Sequence, residues 1–260
     1  MQLMRGLWRL GWLGISMVLF IAYPPICLAE TRPLITTKLT KSQIEQIARQ
    51  TTVRILTGTA SGSGVIVQRQ GEIYTVITNW HVVGLSEKLT IMTCDGRRYF
   101  PVTNNFVQVG KADMAIIQFR SATPYRTATI HPQPVTPGEP VYTAGFPMYT
   151  QYQVETTFDQ GIQVFRLTQG IVSLYLPKSL DQGYRLGYTN DISIGMSGGP
   201  IFNQHGLLVG INGRLKNRDP DFGVYTFEDN TSPHPEILEQ MVGSSWGIPI
   251  TTYLQFNWKN

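Results

Sequence analysis

Cysteine is scarce in this sequence, with only Cys27 and Cys94 among 260 residues. Cys27 falls in an N-terminal stretch that we expect to be removed, which leaves Cys94 without an internal disulfide partner. A secreted protein of this kind must draw its stability from its core. Cys94 follows the alternating run Leu89–Thr93 and precedes an Asp95-Gly96 turn, so we interpret it as a buried strand end rather than a reactive thiol.

Charge is also sparse, since only 15% of the residues are charged. The net charge of +4 includes two arginines of the N-terminal stretch, and the remaining chain has no Lys/Arg cluster. Such a cluster is the usual footprint of nucleic-acid binding, so we expect no nucleic-acid partner. The sequence also lacks a His-Glu-x-x-His motif and paired cysteines, and we expect neither a metal nor a cofactor.

Long hydrophobic runs are confined to the N-terminus, where two arginines precede the apolar run Leu10–Ala22. Pro24-Pro25 interrupts this run before it reaches the roughly 20 residues of a membrane span. Cys27-Leu28-Ala29 places small residues where a signal peptidase reads. We therefore predict a signal peptide over residues 1–29, a secreted or periplasmic location, and no stable membrane insertion of the mature chain.

The remaining chain shows mostly strand periodicity. Thr40–Gln50 has apolar residues at helical spacing behind a Thr or Ser start, which predicts a short helix within an N-terminal segment of residues 30–50. From Thr51 onward, short apolar or alternating runs are separated by glycine turns, as in a barrel or sandwich. These runs are Val53–Ile55, Val65–Val67, Ile73–Ile77, Leu89–Thr93 and Met114–Phe119.

Five prolines lie between Ser121 and Pro140, in a stretch with little periodicity. We interpret this stretch as a connection over residues 121–140 between two β units, residues 51–120 and 141–260. The second unit repeats the strand pattern, and Pro235–Val242 predicts a terminal helix.

One glycine-rich stretch carries the candidate chemistry, Gly195-Met196-Ser197-Gly198-Gly199-Pro200. Its glycines leave room for a substrate carbonyl beside the Ser197 hydroxyl and backbone N–H donors. A serine hydroxyl is a weak nucleophile alone, so this interpretation requires a base and an orienting acid elsewhere. The alternative is an ordinary glycine-rich turn.

His81 is the candidate base, because it follows the apolar run Tyr74–Asn79 and would be held near the interior. The other three histidines, at 131, 205 and 234, lie beside proline or glycine and fit turns. Asp113 is the candidate acid, because it opens the apolar run Met114–Ile117 and a buried carboxylate requires a partner. Asp95 competes with it, but the Asp-Gly turn explains that residue.

The chain order His, Asp, Ser is that of chymotrypsin. Together with Thr78–Val83, Ala112–Ile117, Gly195–Pro200 and Ser61–Ile66, it resembles the trypsin-like serine endopeptidases over Thr51 to Ile250, including the HtrA-like and glutamyl-endopeptidase-like bacterial members. The resemblance implies an all-β fold of two antiparallel barrels, here with a short N-terminal helix and a C-terminal helix. No downstream segment of domain size follows, so the sequence is similar to a bacterial type without a PDZ domain.

The resemblance also implies residue roles. Ser197 would be the nucleophile, His81 the general base and acid, and Asp113 the orienting acid, with the N–H groups of Gly195 and Ser197 forming the oxyanion hole. The segment Leu208–Gly213 is similar to the strand that pairs with a bound peptide and lines the specificity pocket. Its candidate substrate-binding residues are Ile211, Asn212 and Gly213.

Three positions bear on activation and specificity. Met196 stands where animal-type members carry an aspartate that receives a new N-terminus, so activation by N-terminal insertion is not expected. Asn212 stands where glutamyl-specific members commonly carry a histidine, which weakens the case for an acidic P1 residue. Asp191 lies six residues before Ser197, the spacing of the acid at the floor of a trypsin-like S1 pocket. This predicts a modest preference for Arg or Lys at P1, the alternative being a loop acid hydrogen-bonded beside Asn190 and Ser193.

These features predict a serine endopeptidase that acts on polypeptides through an acyl-enzyme, and they leave its oligomeric state open. The alternative is a catalytically silent protein of the same fold that binds peptides or protein partners. An α/β-hydrolase is excluded, because its triad runs Ser, acid, His and its strands alternate with helices.

Overall fold

The computed structural model describes residues 37–86, 88–103, 106–150 and 155–256. The signal peptide predicted over residues 1–29 lies outside these residues. No helix in the described ranges is long and apolar enough to cross a membrane.

The predicted N-terminal helix is α1, Lys41–Thr51. Thr40 caps it through a capping box, in which its side chain accepts from the Gln43 N–H and the Gln43 side chain accepts from the Thr40 N–H. Ile44 and Ala48, four residues apart on one helix face, are fully buried.

The first sheet has seven antiparallel strands and forms a half-barrel, with strand order β5-β4-β1-β2-β3-β7-β6. Stacked aromatic side chains fill its core, for example Tyr74 and Phe119 with ring centroids 5.1 Å apart. The strands are β1 Thr52–Leu56, β2 Ser61–Gln70, β3 Ile73–Thr78, β4 Thr90–Met92, β5 Arg98–Tyr99, β6 Val107–Gln108 and β7 Ala115–Arg120.

The second sheet is a closed six-stranded antiparallel barrel, ordered β10-β13-β12-β11-β8-β9. Leu186, Tyr188 and Ile201 are among the fully buried residues of its interior. Its strands are β8 Pro140–Gly145, β9 Arg166–Leu180, β10 Tyr184–Tyr188, β11 Pro200–Asn203, β12 Leu208–Arg214 and β13 Ser245–Pro249. The all-β fold class predicted from the sequence is therefore confirmed.

The proline-rich stretch between β7 and β8 contacts both sheets. The Ala128 N–H donates to the Ile66 carbonyl of the first sheet at 2.8 Å, and Ile130 forms a parallel bridge with Leu208 of the second. Proline cannot donate to a strand ladder, which accounts for the lack of a strand between Arg120 and Pro140.

The C-terminal part differs from the sequence-based prediction in two places. The helix predicted as terminal is α3, Pro235–Val242, but β13 and a further helix, α4, Ile250–Gln255, follow it. The strand pattern of the second unit, which predicts short runs, includes one strand of 15 residues, β9. The β-branched start of α4, Ile-Thr-Thr, disfavours a helix by local propensity, so packing rather than sequence preference determines this helix.

The remaining helices are short. Helix α2 spans Trp80–Val83, and three 3₁₀ turns cover Phe158–Gln160, Asp181–Gly183 and Pro220–Phe222. Helix α2 follows β3 directly and so positions His81.

Candidate active site

His81 and Asp113 are held together by two hydrogen bonds. The His81 Nδ1 lies 2.6 Å from Asp113 Oδ2, and the His81 backbone N–H donates to Asp113 Oδ1 at 2.8 Å. His81 lies on α2 after β3 ends, while Asp113 precedes β7, which pairs with β3. The antiparallel pairing of these two strands therefore places the acid beside the imidazole and fixes the ring orientation.

Asp113 is a buried carboxylate, 5% exposed, that is fully partnered. Its Oδ2 also accepts a hydrogen bond from the Tyr184 hydroxyl. Its backbone carbonyl accepts from Asn79 Nδ2 at 2.7 Å, and its N–H donates to the Gln182 carbonyl at 2.9 Å. These partners offset the cost of burying the charge and tie the acid to both barrels.

Tyr184 is a site residue that sequence reasoning missed. Its ring is 1% exposed, and burial together with the neighbouring Asp113 raises the pKa of its hydroxyl well above the ordinary value. The hydroxyl therefore stays protonated and acts as a donor. The Arg214 guanidinium lies 4.0 Å from the centroid of the Tyr184 ring, a cation–π contact. A Cβ on Gly213 would overlap the same ring, so the tyrosine explains why glycine stands there.

Ser197 lies in a loop that only glycine-rich sequence can form, since Gly195 has φ +94° and Gly198 φ +80°. The Ser197 hydroxyl donates to the Gly213 carbonyl at 3.4 Å. In the described part of the chain no hydrogen bond joins it to His81, although both side chains line the same cavity. Catalytic hydrogen bonds are often long in a substrate-free enzyme and tighten when substrate binds.

The backbone carbonyls of residues 194–197 all accept hydrogen bonds from other groups of the protein. The Ile194 carbonyl accepts from the Met148 N–H at 2.7 Å, and the Gly195 carbonyl accepts from Ser63 Oγ at 2.8 Å. Among the described residues, the N–H groups of Gly195 and Ser197 donate to nothing. Two free donors in the loop that carries the hydroxyl, with Met196 between them, suit a developing oxyanion.

Ser63 is the second residue that sequence reasoning missed. Its Oγ donates to the Gly195 carbonyl and accepts from the Phe146 N–H at 2.9 Å, and its own N–H donates to the Ser197 carbonyl at 2.8 Å. One residue of β2 in the first sheet thus holds the loop of the second barrel at two points. The only signal in the sequence was its place in Ser61-Gly62-Ser63-Gly64.

Two cavities meet at His81 and Ser197. One of about 330 Å³ has apolar walls that include Val82, Leu85 and Ile194. The other, of about 510 Å³, is lined by Asp113, Tyr184, Gly213, Arg214, Leu215 and Arg218, among others. The site therefore lies between the half-barrel and the closed barrel, where an extended chain has room on both sides of the hydroxyl.

Comparison with known proteins agrees with this geometry. The profile of the trypsin-like peptidase domain matches residues 62–211, more than half of the chain. The chain belongs to this family. The match begins one residue before Ser63 and includes all three candidate catalytic residues.

Individual relatives are similar at moderate identity. The chain is 31% identical over 167 residues to the putative protease Do-like 14 of Arabidopsis thaliana and 32% identical over 161 residues to the serine protease HTRA1 of Xenopus laevis. It is 28% identical over 185 residues to the probable periplasmic serine endoprotease DegP-like of Hahella chejuensis. These alignments cover 60%, 59% and 70% of this chain but only 35%, 31% and 35% of the relatives. The chain thus spans about a third of the length of the relatives it matches.

The predicted substrate-binding residues of this trypsin-like domain fall in different environments. Gly213 lines the larger cavity, whereas Ile211 is fully buried in the core. The Asn212 side chain donates to the Ala144 and Met196 carbonyls at 3.1 and 3.3 Å and accepts from Tyr188 at 2.8 Å. Asn212 therefore stabilises the loop that carries Ser197 through its hydrogen bond to the Met196 carbonyl.

Asp191 lies on the surface, with its side chain 66% exposed. Its carboxylate pairs with Lys216 Nζ at 2.5 Å. A substrate cation would have to displace this lysine before it could bind Asp191.

Proposed function

We propose that the protein is a serine endopeptidase that hydrolyses peptide bonds through an acyl-enzyme. The observation that carries the proposal is the 2.6 Å contact between His81 Nδ1 and Asp113 Oδ2, with Ser197 on the same cavity. The contact leaves His81 Nε2 as the nitrogen that takes up the proton. Ser197 is the nucleophile, His81 the general base and acid, and Asp113 the orienting acid.

The reaction follows from these roles. His81 takes the hydroxyl proton as Ser197 Oγ attacks the substrate carbonyl carbon, and the carbonyl oxygen becomes an oxyanion held by the N–H groups of Gly195 and Ser197. When the tetrahedral intermediate collapses, the C–N bond breaks and His81 gives its proton to the leaving amine. Water then attacks the acyl-enzyme by the same proton route and releases the acid product and free Ser197.

The substrate class in this proposal is polypeptide. We place the protein outside the cytoplasm, after removal of residues 1–29. Support comes from the signal-like pattern of Leu10–Ala29 and from relatives whose names describe periplasmic proteases. The alternative function is a silent peptide-binding protein of the same fold. The buried Asp113 with its hydrogen bond to His81 counts against it, because a binding scaffold has no need for a costly buried carboxylate.

A fluorophosphonate probe distinguishes the two functions. We expect the purified protein to be labelled covalently, and Ser197→Ala to abolish labelling while the circular dichroism spectrum is unchanged. Ser193→Ala is the matched control, since it removes a nearby loop hydroxyl and leaves Ser197 in place; it should still label. Absence of labelling in a folded wild-type protein would favour the silent scaffold.

A further inference from the structure

We propose that the larger cavity beside Ser197 binds an acidic side chain of the polypeptide substrate, through Arg214 and Arg218. The inference rests on the proposed endopeptidase function and names a substrate class for the same site. We assign the acidic residue to the part of the substrate that precedes the scissile bond, because this cavity adjoins Gly213 at the end of β12, the strand expected to pair with that part.

The first step of the argument is the charge of the cavity. Among its lining residues, Arg214 and Arg218 are permanent cations and Asp113 is the single carboxylate. Asp113 already accepts from the His81 N–H, His81 Nδ1 and Tyr184 hydroxyl. It therefore has no remaining role as a counter-ion for either guanidinium.

Arg214 is held rigidly by uncharged groups. Its Nη1 donates to the Val224 carbonyl at 2.6 Å, and its Nη2 donates to the Asp181 carbonyl at 3.0 Å and to Gln182 Oε1 at 3.3 Å. In the described ranges no carboxylate lies within ion-pair distance of it. The guanidinium is thus fixed on the Tyr184 ring without a salt bridge, although the Asp181 and Asp113 carboxylates attract it at longer range, and its ordering costs nothing further when substrate binds.

Arg218 lies on the exposed part of the same cavity wall, and its side chain makes no hydrogen bond or ion pair with the described residues. Lys216, between the two arginines, is engaged with Asp191. The segment 214–218 therefore presents two unpaired guanidiniums to the cavity, and the acid once expected to attract a substrate cation is neutralised by its own lysine. A carboxylate accepts charge-assisted hydrogen bonds from guanidinium N–H groups, and the Arg218 side chain has its whole donor fork free for one among the described residues.

The test uses peptides that differ only by Glu, Gln or Lys, placed in turn at each position before the scissile bond. Glu and Gln have the same shape, so their ratio isolates the charge. We expect kcat/KM for Glu to exceed that for Gln by about tenfold or more at one position. Lys should be poorer than Gln there, and the Glu advantage should shrink as NaCl is raised.

Variants locate the effect. Arg218→Gln should reduce the Glu/Gln ratio severalfold, and Arg214→Gln should reduce it further, with circular dichroism confirming that each variant folds. Arg126→Gln is the matched control, because Arg126 is an exposed arginine outside the cavity wall that donates to Gln50 at 3.0 Å; it should leave the ratio unchanged.

Different results would overturn the proposed endopeptidase function and the proposed acidic preference. A folded protein that neither reacts with a fluorophosphonate nor cleaves any peptide would overturn the proposed function itself. Cleavage with equal rates for Glu, Gln and Lys would leave that function standing and overturn this inference. A Glu preference that survives both arginine substitutions would overturn the assignment to Arg214 and Arg218, and a Lys preference lost in Asp191→Ser would restore the trypsin-like interpretation of the pocket.

Discussion

Replacing Ser63 with alanine removes a hydroxyl that lies outside the proposed catalytic triad but holds the loop that carries Ser197. The Ser63 Oγ bridges the Phe146 N–H and the Gly195 carbonyl at 2.9 and 2.8 Å. Both groups are buried, and an alanine methyl can satisfy neither. The backbone bond from the Ser63 N–H to the Ser197 carbonyl is retained, so the loop stays docked and only the Gly195 peptide is released.

The expected magnitude has two parts. A buried donor or acceptor left unpaired costs about 1–3 kcal/mol, so orphaning the Phe146 N–H and the Gly195 carbonyl should lower the free energy of unfolding by roughly 2–6 kcal/mol. The released carbonyl belongs to the Gly195–Met196 peptide, which lies between the two expected oxyanion donors, the N–H groups of Gly195 and Ser197, so its rotation can misalign both. Loss of one oxyanion donor costs about 10²–10³ in kcat, and partial misalignment should cost at least about tenfold with KM nearly unchanged.

Urea denaturation followed by circular dichroism measures the first part, and steady-state peptide hydrolysis, corrected for active sites by fluorophosphonate titration, measures the second. Ser61→Ala is the stability control, because Ser61 lies on the same strand, is 8% exposed and has a hydroxyl with no hydrogen-bond partner among the described residues. It should unfold at the wild-type urea concentration. If Ser63→Ala loses stability but keeps wild-type kcat, the Gly195 peptide holds its orientation without Ser63 and the reasoning is wrong.

Three further results are expected. In Tyr184→Phe the Asp113 carboxylate loses a buried hydrogen-bond donor, so its orientation toward His81 should loosen and kcat should fall while KM changes little; an unchanged kcat would reduce the tyrosine to a packing role. Ser197→Ala and His81→Ala should each abolish most turnover, and the double variant should be little slower than either, because triad members act as a unit. If the two losses in rate multiply instead, Ser197 and His81 do not act together and their assignment is wrong. Arg54→Met should destabilise the fold by about 1–3 kcal/mol in urea titrations. This fully buried arginine donates at 2.6–2.8 Å to Thr157 and Gly161, and without it the Gly161 carbonyl would lose its partner. An unchanged midpoint would show that the loop at 157–161 is stable without the arginine.

The three candidate catalytic residues could be predicted because each has a local signature. Ser197 stands among glycines, while His81 and Asp113 stand at the boundary of an apolar run. Tyr184 and Ser63 have no such signature. Their functions depend on contacts with residues 71 and 132 positions away along the chain, and only the docking of the two barrels creates those contacts.

Asp191 illustrates the limit of spacing as evidence. Its separation from Ser197 is that of an acid at the floor of an S1 pocket, but the lysine that pairs with it lies in another loop. Nothing in the sequence around Arg214 and Arg218 indicates that these arginines line the same cavity as His81. Charges acquire a functional meaning only when their counter-ions are known, and ion pairs between loops follow from tertiary structure.

Helix α1 precedes the first strand of the half-barrel, yet Ile44 and Ala48 share a buried cluster with Val65 of the first sheet and Phe202 of the second. The helix is thus a common wall of both cores. Cutting the chain after Thr51 would release α1 and expose apolar core residues of both sheets. The product would be less stable and prone to aggregation, not activated. An N-terminal maturation cut that keeps this wall intact has to fall before Leu39, whose N–H donates to the Gln204 carbonyl of the second barrel at 2.9 Å.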